Sequence, residues 1–139
     1  MIQILIIDDQ ALVRAGLRHI LDQSNEISEV CEASTGEAAL SRCRKACPDI
    51  ILLSVNLPGL TGFEVTRKLR CIHPAAKIIV LAVHAKPPYP ERLLDAGASG
   101  YLTRDCDAEE LLKAIKVVSA GQRYIGDEAA KQLALSMLS

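Results

Sequence analysis

Three short apolar runs limit what this chain can fold into: Ile2-Gln3-Ile4-Leu5-Ile6-Ile7, Ile50-Ile51-Leu52-Leu53 and Lys77-Ile78-Ile79-Val80-Leu81-Ala82-Val83. A strand with one wet face alternates apolar and polar residues, whereas these runs are nearly continuous and rich in β-branched side chains. They are too short for buried helices and read as strands covered on both faces. Such strands need a layer of helices on each side. The second run passes directly into Ser54, and Pro58-Gly59 breaks the chain soon after. Ser54 is thereby delivered to the C-terminal tip of a buried strand, which in an open α/β sheet borders the crevice where ligands sit.

The intervening sequence supplies the helices. Ala11 to Leu21 places Val13, Leu17, Ile20 and Leu21 on one face. Ser28 to Ala33 reads as a shorter strand. Ser34 or Thr35 can cap a helix to about Ala46, which Pro48 stops, and Thr61 caps another through about Cys71. Lys86-Pro87-Pro88-Tyr89-Pro90 predicts an extended loop into a short helix from about Glu91, ended by Gly97. Tyr101-Leu102 gives a brief strand and Thr103-Arg104-Asp105 a turn. Asp107 then caps a helix with Leu111, Leu112, Ile115 and Val118 inward, closed by Gly121. Five strands alternating with five helices predict an α/β fold, a doubly wound parallel sheet joined by right-handed crossovers. A further helical pattern from Asp127, with Ala130, Leu133, Ala134 and Met137 in register, exceeds what that sheet needs. Residues 122–139 therefore read as a linker or accessory C-terminal helix.

A chain of 139 residues forms one ordinary domain with a substantial core, and with a single Phe and no Trp that core must be aliphatic. The net charge of −1 gives no global pull toward nucleic acid or an anionic membrane. No apolar stretch is long enough to span a bilayer, so a soluble cytoplasmic protein without membrane partners is expected. The five cysteines are odd in number and form no C-x-x-C pair. Cys43 and Cys47 would lie side by side on a helix as half a metal site, but nothing completes it; reduced, buried thiols are the better reading.

Asp8 and Asp9 end the first strand, Ser54 the third, Ala82 lies near the end of the fourth, and Arg104 follows the fifth. These tips converge on one edge of a doubly wound sheet. Two adjacent carboxylates repel and need a cation, a proton or an arginine nearby. They are either a magnesium site, for which hard oxygen donors suit, or a helix cap beside a solvated charge, and their place at the end of a central strand favours the first. His84 has no matching ligand spacing and reads as a loop histidine. Tyr89, between two prolines, reads as a packing or surface residue.

Ile6-Ile7-Asp8-Asp9-Gln10, Pro48-Asp49-Ile50-Ile51-Leu52-Leu53, Leu57-Pro58-Gly59-Leu60-Thr61-Gly62 and Ala96-Gly97-Ala98-Ser99-Gly100-Tyr101-Leu102 together resemble the receiver domain of two-component response regulators. The likeness covers residues 1–121. Leu12-Val13-Arg14-Ala15-Gly16-Leu17 and Ala120-Gly121-Gln122-Arg123-Tyr124-Ile125 are similar to the NarL/FixJ subfamily, and within it to the GacA/UvrY type of global regulator. The resemblance implies a flavodoxin-like, CheY-like receiver of strand order 2-1-3-4-5. It also implies an acidic pair at Asp8 and Asp9, a backbone carbonyl at Asn56 completing a magnesium site, and a switch aromatic at Tyr101.

Three positions depart from that pattern. The phospho-acceptor aspartate is replaced by Ser54, the fourth-strand hydroxyl residue by Ala82, and the lysine after the fifth strand by Arg104. A serine hydroxyl is neutral, no base is evident beside it, and one metal carboxylate is lost with the aspartate. Ala82 offers no hydroxyl to a phosphoryl oxygen. Arg104 keeps the charge, but its planar fork prefers a carboxylate, so it is expected to reach Asp8 or Asp9 in place of a metal. Asp8, Asp9 and Asn56 are then a vestigial metal set expected to stand empty. No cofactor is expected, and magnesium is the alternative the acidic pair leaves open.

The expected function is an atypical, phosphorylation-independent receiver, not an enzyme, that regulates transcription through a helix-turn-helix DNA-binding domain absent from this chain. It would act as a homodimer, or with a related regulator or a sensor kinase. One alternative is a stand-alone interaction protein that sequesters such partners. Another is a phosphotransfer enzyme using Ser54, but neither a nucleophile elbow nor a phosphate-binding loop accompanies that serine.

Overall fold

The computed structural model describes residues 1–138; Ser139, the last residue of the segment expected as linker or accessory helix, lies outside them. Six strands are met in chain order: β1 (Ile2–Ile7), β2 (Ile27–Ala33), β3 (Ile50–Ser54), β4 (Lys77–Ala82), β5 (Gly100–Thr103) and β6 (Tyr124–Ile125). They alternate with α1 (Ala11–Asp22), α2 (Gly36–Lys45), α3 (Gly62–Ile72), α4 (Tyr89–Ala96), α5 (Ala108–Ser119) and α6 (Asp127–Ser136). All pairings are parallel, in the order β2-β1-β3-β4-β5-β6.

The three apolar runs occupy the sheet centre because both their faces are dry. Every residue of β3 is buried, as are Ile78 to Ala82 of β4 and Ile4 to Ile7 of β1. One face packs Leu5, Ile7, Ile51, Leu53 and Ile78 against α2 and α3, and the other packs Ile4, Ile6, Ile50, Leu52 and Ile79 against α1 and α5. Neighbouring residues of one strand thus enter opposite cores, as the period of two requires.

Local signals set most helix starts. Thr61 accepts from the Glu64 amide while Glu64 reaches back to the Thr61 amide, a capping box for α3. Asp107 accepts from the Glu110 amide to cap α5, and Thr35 rather than Ser34 caps α2. α4 begins at Tyr89, two residues before the expected Glu91, because a proline is tolerated within the first turn and Pro90 sits there. It ends at Gly97, whose φ of +119° suits a residue without a Cβ.

The sheet differs from the expected five strands and five helices at its C-terminal edge. Order 2-1-3-4-5 holds for the first five, and Tyr124–Ile125 adds a sixth strand beside Gly100–Tyr101. Two residues carry no readable periodicity. α6 then packs over β5 and α4 with Ala129 fully buried, whereas the expected inward set included Ala130, Ala134 and Met137, which are exposed. Leu133 of that set does face the sheet, but its partner there is Ala129 rather than Ala130. Among the described residues, no helix is long and apolar enough to cross a membrane.

Candidate functional site

Strand register brings the chemistry together. Ile7 of β1 pairs with Leu53 of β3, so the next residues, Asp8 and Ser54, emerge side by side. Ala82 pairs with Thr103, which puts Arg104 at the same edge. Gly62 lets α3 approach this edge closely: a Cβ there would lie 2.8 Å from the Val55 Cα and 2.9 Å from the Ser54 carbonyl oxygen, while its amide donates to the Val55 carbonyl. Only glycine admits that approach, and it fixes the backbone that carries Ser54.

Arg104 spans the pocket. Its Nη2 donates to Asp8 Oδ2 at 2.5 Å and to Ser54 Oγ at 2.8 Å, and its own amide donates to the Ala82 carbonyl. Of the two acids it was expected to reach, it takes Asp8. Asp8 is buried, and its other oxygen, Oδ1, accepts from the Gln10 amide at 2.8 Å. Asp9 is exposed and joins Gln10, Ser54, Asn56, Ala82 and Arg104 around a cavity of about 250 Å3. Asn56 is exposed on its rim.

A second ring of charge escaped sequence reasoning. Arg14 of α1 donates through Nη1 to the Asp8 carbonyl at 2.7 Å and through Nε to Glu32 at 2.9 Å, and Arg18 takes the other Glu32 oxygen at 2.8 Å. Arg18 first, with Arg14, holds the Glu32 carboxyl below its usual 4.5, against a partial burial that would raise it. The spacing of Arg14 and Arg18 marks one helix face. That Glu32 faces them follows only once β2 is known to lie beside β1.

Tyr101 is fully buried, directed inward from β5, and its hydroxyl donates to the His84 carbonyl at 3.2 Å. Burial, with Tyr89 nearby, pushes that phenol up to about 12. His84 is itself an exposed loop residue, and Tyr89 is half exposed at the start of α4.

The donors at the acidic pair do not fit a magnesium ion. That ion asks for several free oxygens in octahedral array. Both Asp8 oxygens already accept hydrogen bonds, one of them from a fixed guanidinium, and Ser54 offers a neutral hydroxyl that accepts from Arg104, which leaves the Asp9 carboxylate and the Asn56 carbonyl on the rim. Among the described residues no cluster of three or more His, Cys, Asp or Glu could hold a metal. Ser54 Oγ accepts from the Arg104 guanidinium, which is always charged and takes no proton from it. Cys43 and Cys47 pack in one core cluster, and burial, with Cys47 beside it, pushes the Cys43 thiol up to about 11.

Comparison with known proteins agrees with this scaffold. Residues 4–116 match the response regulator receiver domain. The chain is 43% identical over 135 residues to the response regulator GacA of Pseudomonas viridiflava, and 44% identical over 138 residues to the response regulator UvrY of Escherichia coli K12. These alignments take in 97% and 99% of this chain but 63% of each relative, so the chain spans less than two thirds of the curated relatives it matches. The crystal structure of a LuxR-family two-component response regulator from Aurantimonas sp. SI85-9A1 superposes with a TM-score of 0.94 at 32% identity, covering 100% of this chain and 99% of that one.

Proposed function

Because this chain belongs to the receiver family of two-component response regulators, we propose that it is a signalling receiver whose state is not set by aspartyl phosphorylation. One observation carries the reading: Arg104 bonds Asp8 and Ser54 at once, filling with a fixed cation the space between acidic pair and acceptor position. A buried carboxylate needs a positive partner, and an arginine in that role is always charged and cannot dissociate. The pocket is then held in one arrangement by its own side chain, and Ala82 gives an arriving phosphoryl group no hydroxyl.

In this reading the chain is the N-terminal part of a cytoplasmic transcription regulator. Residues 1–121 form the receiver, and 122–139 lead toward a helix-turn-helix domain supplied by a longer protein, in keeping with the 63% coverage of GacA and UvrY. Control passes through a homodimer, a related regulator or a sensor kinase. A stand-alone sequestering module is the second reading, favoured by the packing of α6 onto the sheet through Ala129 and Leu133, which closes the fold by itself. A native gene ending near Ser139 would select it.

The test is incubation with acetyl phosphate and magnesium, read by intact mass, alongside a magnesium titration followed by amide NMR. The expected outcome is an unmodified mass and no saturable shift at Asp8 and Asp9. A stoichiometric phosphoryl adduct, or saturable millimolar magnesium binding at those residues, would overturn the proposal.

A further inference from the structure

The shoulder formed by α3 and α4 carries a second arginine cluster of different character. Between α3 and α4 lies an open groove of about 520 Å3 whose lining includes Phe63, Arg67, Arg70, Arg92 and Asp95. Three cations face one acid there, in a chain of net charge −1. The Phe63 ring is half-buried against the core, and both free guanidiniums lie over it: that of Arg92 at 5.0 Å from the centroid and that of Arg67 at 5.8 Å. Arg70 forms the floor, its Nη1 committed to the carbonyls of Pro74 and Ala76, with its stem against Gly97. Among the described residues neither Arg67 nor Arg92 forms an ion pair, whereas Arg14, Arg18 and Arg104 all do.

We propose that this groove docks an acidic peptide segment of a partner protein, carrying carboxylates on either side of one apolar residue. A guanidinium stacked on an aromatic ring keeps its N–H edge outward, where it can take a carboxylate in two parallel hydrogen bonds without leaving the ring. Phe63 holds two such forks in place before the partner arrives, which lowers the ordering cost of binding. The exposed part of the ring between them receives the apolar side chain. A nucleic acid fits less well. Its bases would have to displace the guanidiniums from the ring, and Asp95 on the rim would face the phosphates. The net charge of −1 also gives no global pull toward a polyanion.

The experiment titrates the full chain with short synthetic peptides in which Glu and Asp flank one Leu or Phe, read by amide and arginine side-chain NMR shifts. Matched peptides with Lys for the acids, a single-stranded oligonucleotide, and sedimentation of the chain alone complete it. Saturable shifts centred on Phe63, Arg67 and Arg92 are expected. Added salt should weaken them, as it screens exposed charges. The double charge reversal Arg67→Glu with Arg92→Glu should weaken them by on the order of tenfold, since attraction becomes repulsion at two sites. Both arginines are exposed, so the variant should keep the wild-type spectrum elsewhere. Absence of saturation at millimolar peptide, indifference to the double reversal, tighter binding of the oligonucleotide in this groove, or a second copy of the chain that the acidic peptides cannot displace would each overturn the proposal.

Discussion

At the strand tips Arg104, Arg14 and Arg18 each form an ion pair with a carboxylate of their own chain, whereas in the α3–α4 groove Arg67 and Arg92 lie over an aromatic ring and form no ion pair among the described residues. The difference lies in what surrounds the guanidinium. Asp8 is buried and a buried carboxylate is costly without a positive partner, so Arg104 is held by the folded state itself. Nothing in the groove is buried and charged, so those arginines keep their hydrogen-bonding edges open. One set of cations has been absorbed into the architecture, and the other is offered to something outside it.

The sharpest way to break this contrast is to truncate one arginine from each set. Arg104→Ala leaves Asp8 buried without its charge partner and should lower unfolding stability by about 2 kcal/mol, given the usual worth of a charged hydrogen bond. Arg92→Ala, exposed and unpaired, should stay within about 0.5 kcal/mol of wild type. Urea denaturation reads both. Equal losses would mean that the pocket pair contributes no more than a surface contact.

The same loss should also free an oxygen of Asp8 for metal. Arg104→Ala, unlike Arg92→Ala, is expected to gain weak magnesium binding at Asp8 and Asp9, visible as new amide shifts on titration. No gain would show that Ser54 alone suffices to exclude the ion.

Acid titration sharpens the account of the outer ring. Arg18 and Arg14 hold the Glu32 carboxyl below its usual 4.5. A depressed carboxyl adds stability that is fully present above its unfolded value and is lost as pH falls through the folded one. Glu32→Gln should therefore be less stable than wild type at neutral pH, with the gap closing as pH drops below about 4.5. A gap independent of pH would assign the effect to packing.

Thiol labelling gives the smallest and most local comparison. Cys71 lines the groove and is exposed, while Cys106 stands two residues from Arg104 with its thiol pushed up to about 11, first by burial and then by neighbouring acids. Iodoacetamide near pH 8 should modify Cys71 first and Cys106 much more slowly. Reversal of that order would mean that the groove is closed in solution.

Much of this was legible in the residues alone. Continuous apolar runs can only be central parallel strands, and their lengths, with Thr61, Asp107 and Gly97 as punctuation, place most elements. The convergence of Asp8, Asp9, Ser54, Ala82 and Arg104 follows from their places at strand tips, because parallel strands end on one edge. The chemistry of a guanidinium beside an acidic pair also predicts that Arg104 turns to a carboxylate.

Other features had no signal within their own segment. β6 is two residues long and exists because the edge of β5 accepts it. The face that α6 buries depends on where that edge strand delivers the chain, which put Ala129 rather than Ala130 beside Leu133 on that face. Which acid Arg104 takes, that Glu32 meets Arg14 and Arg18, and that Phe63 gathers Arg67 from its own helix and Arg92 from the next, all join residues from separate elements. The sequence by itself determined the first five strands, the layers and the edge where polar residues emerge, since periodicity and burial act within each segment. The tertiary structure alone decided which charges are neutralised and which are left open, because a partner contributed by another element is set by the packing of the whole chain.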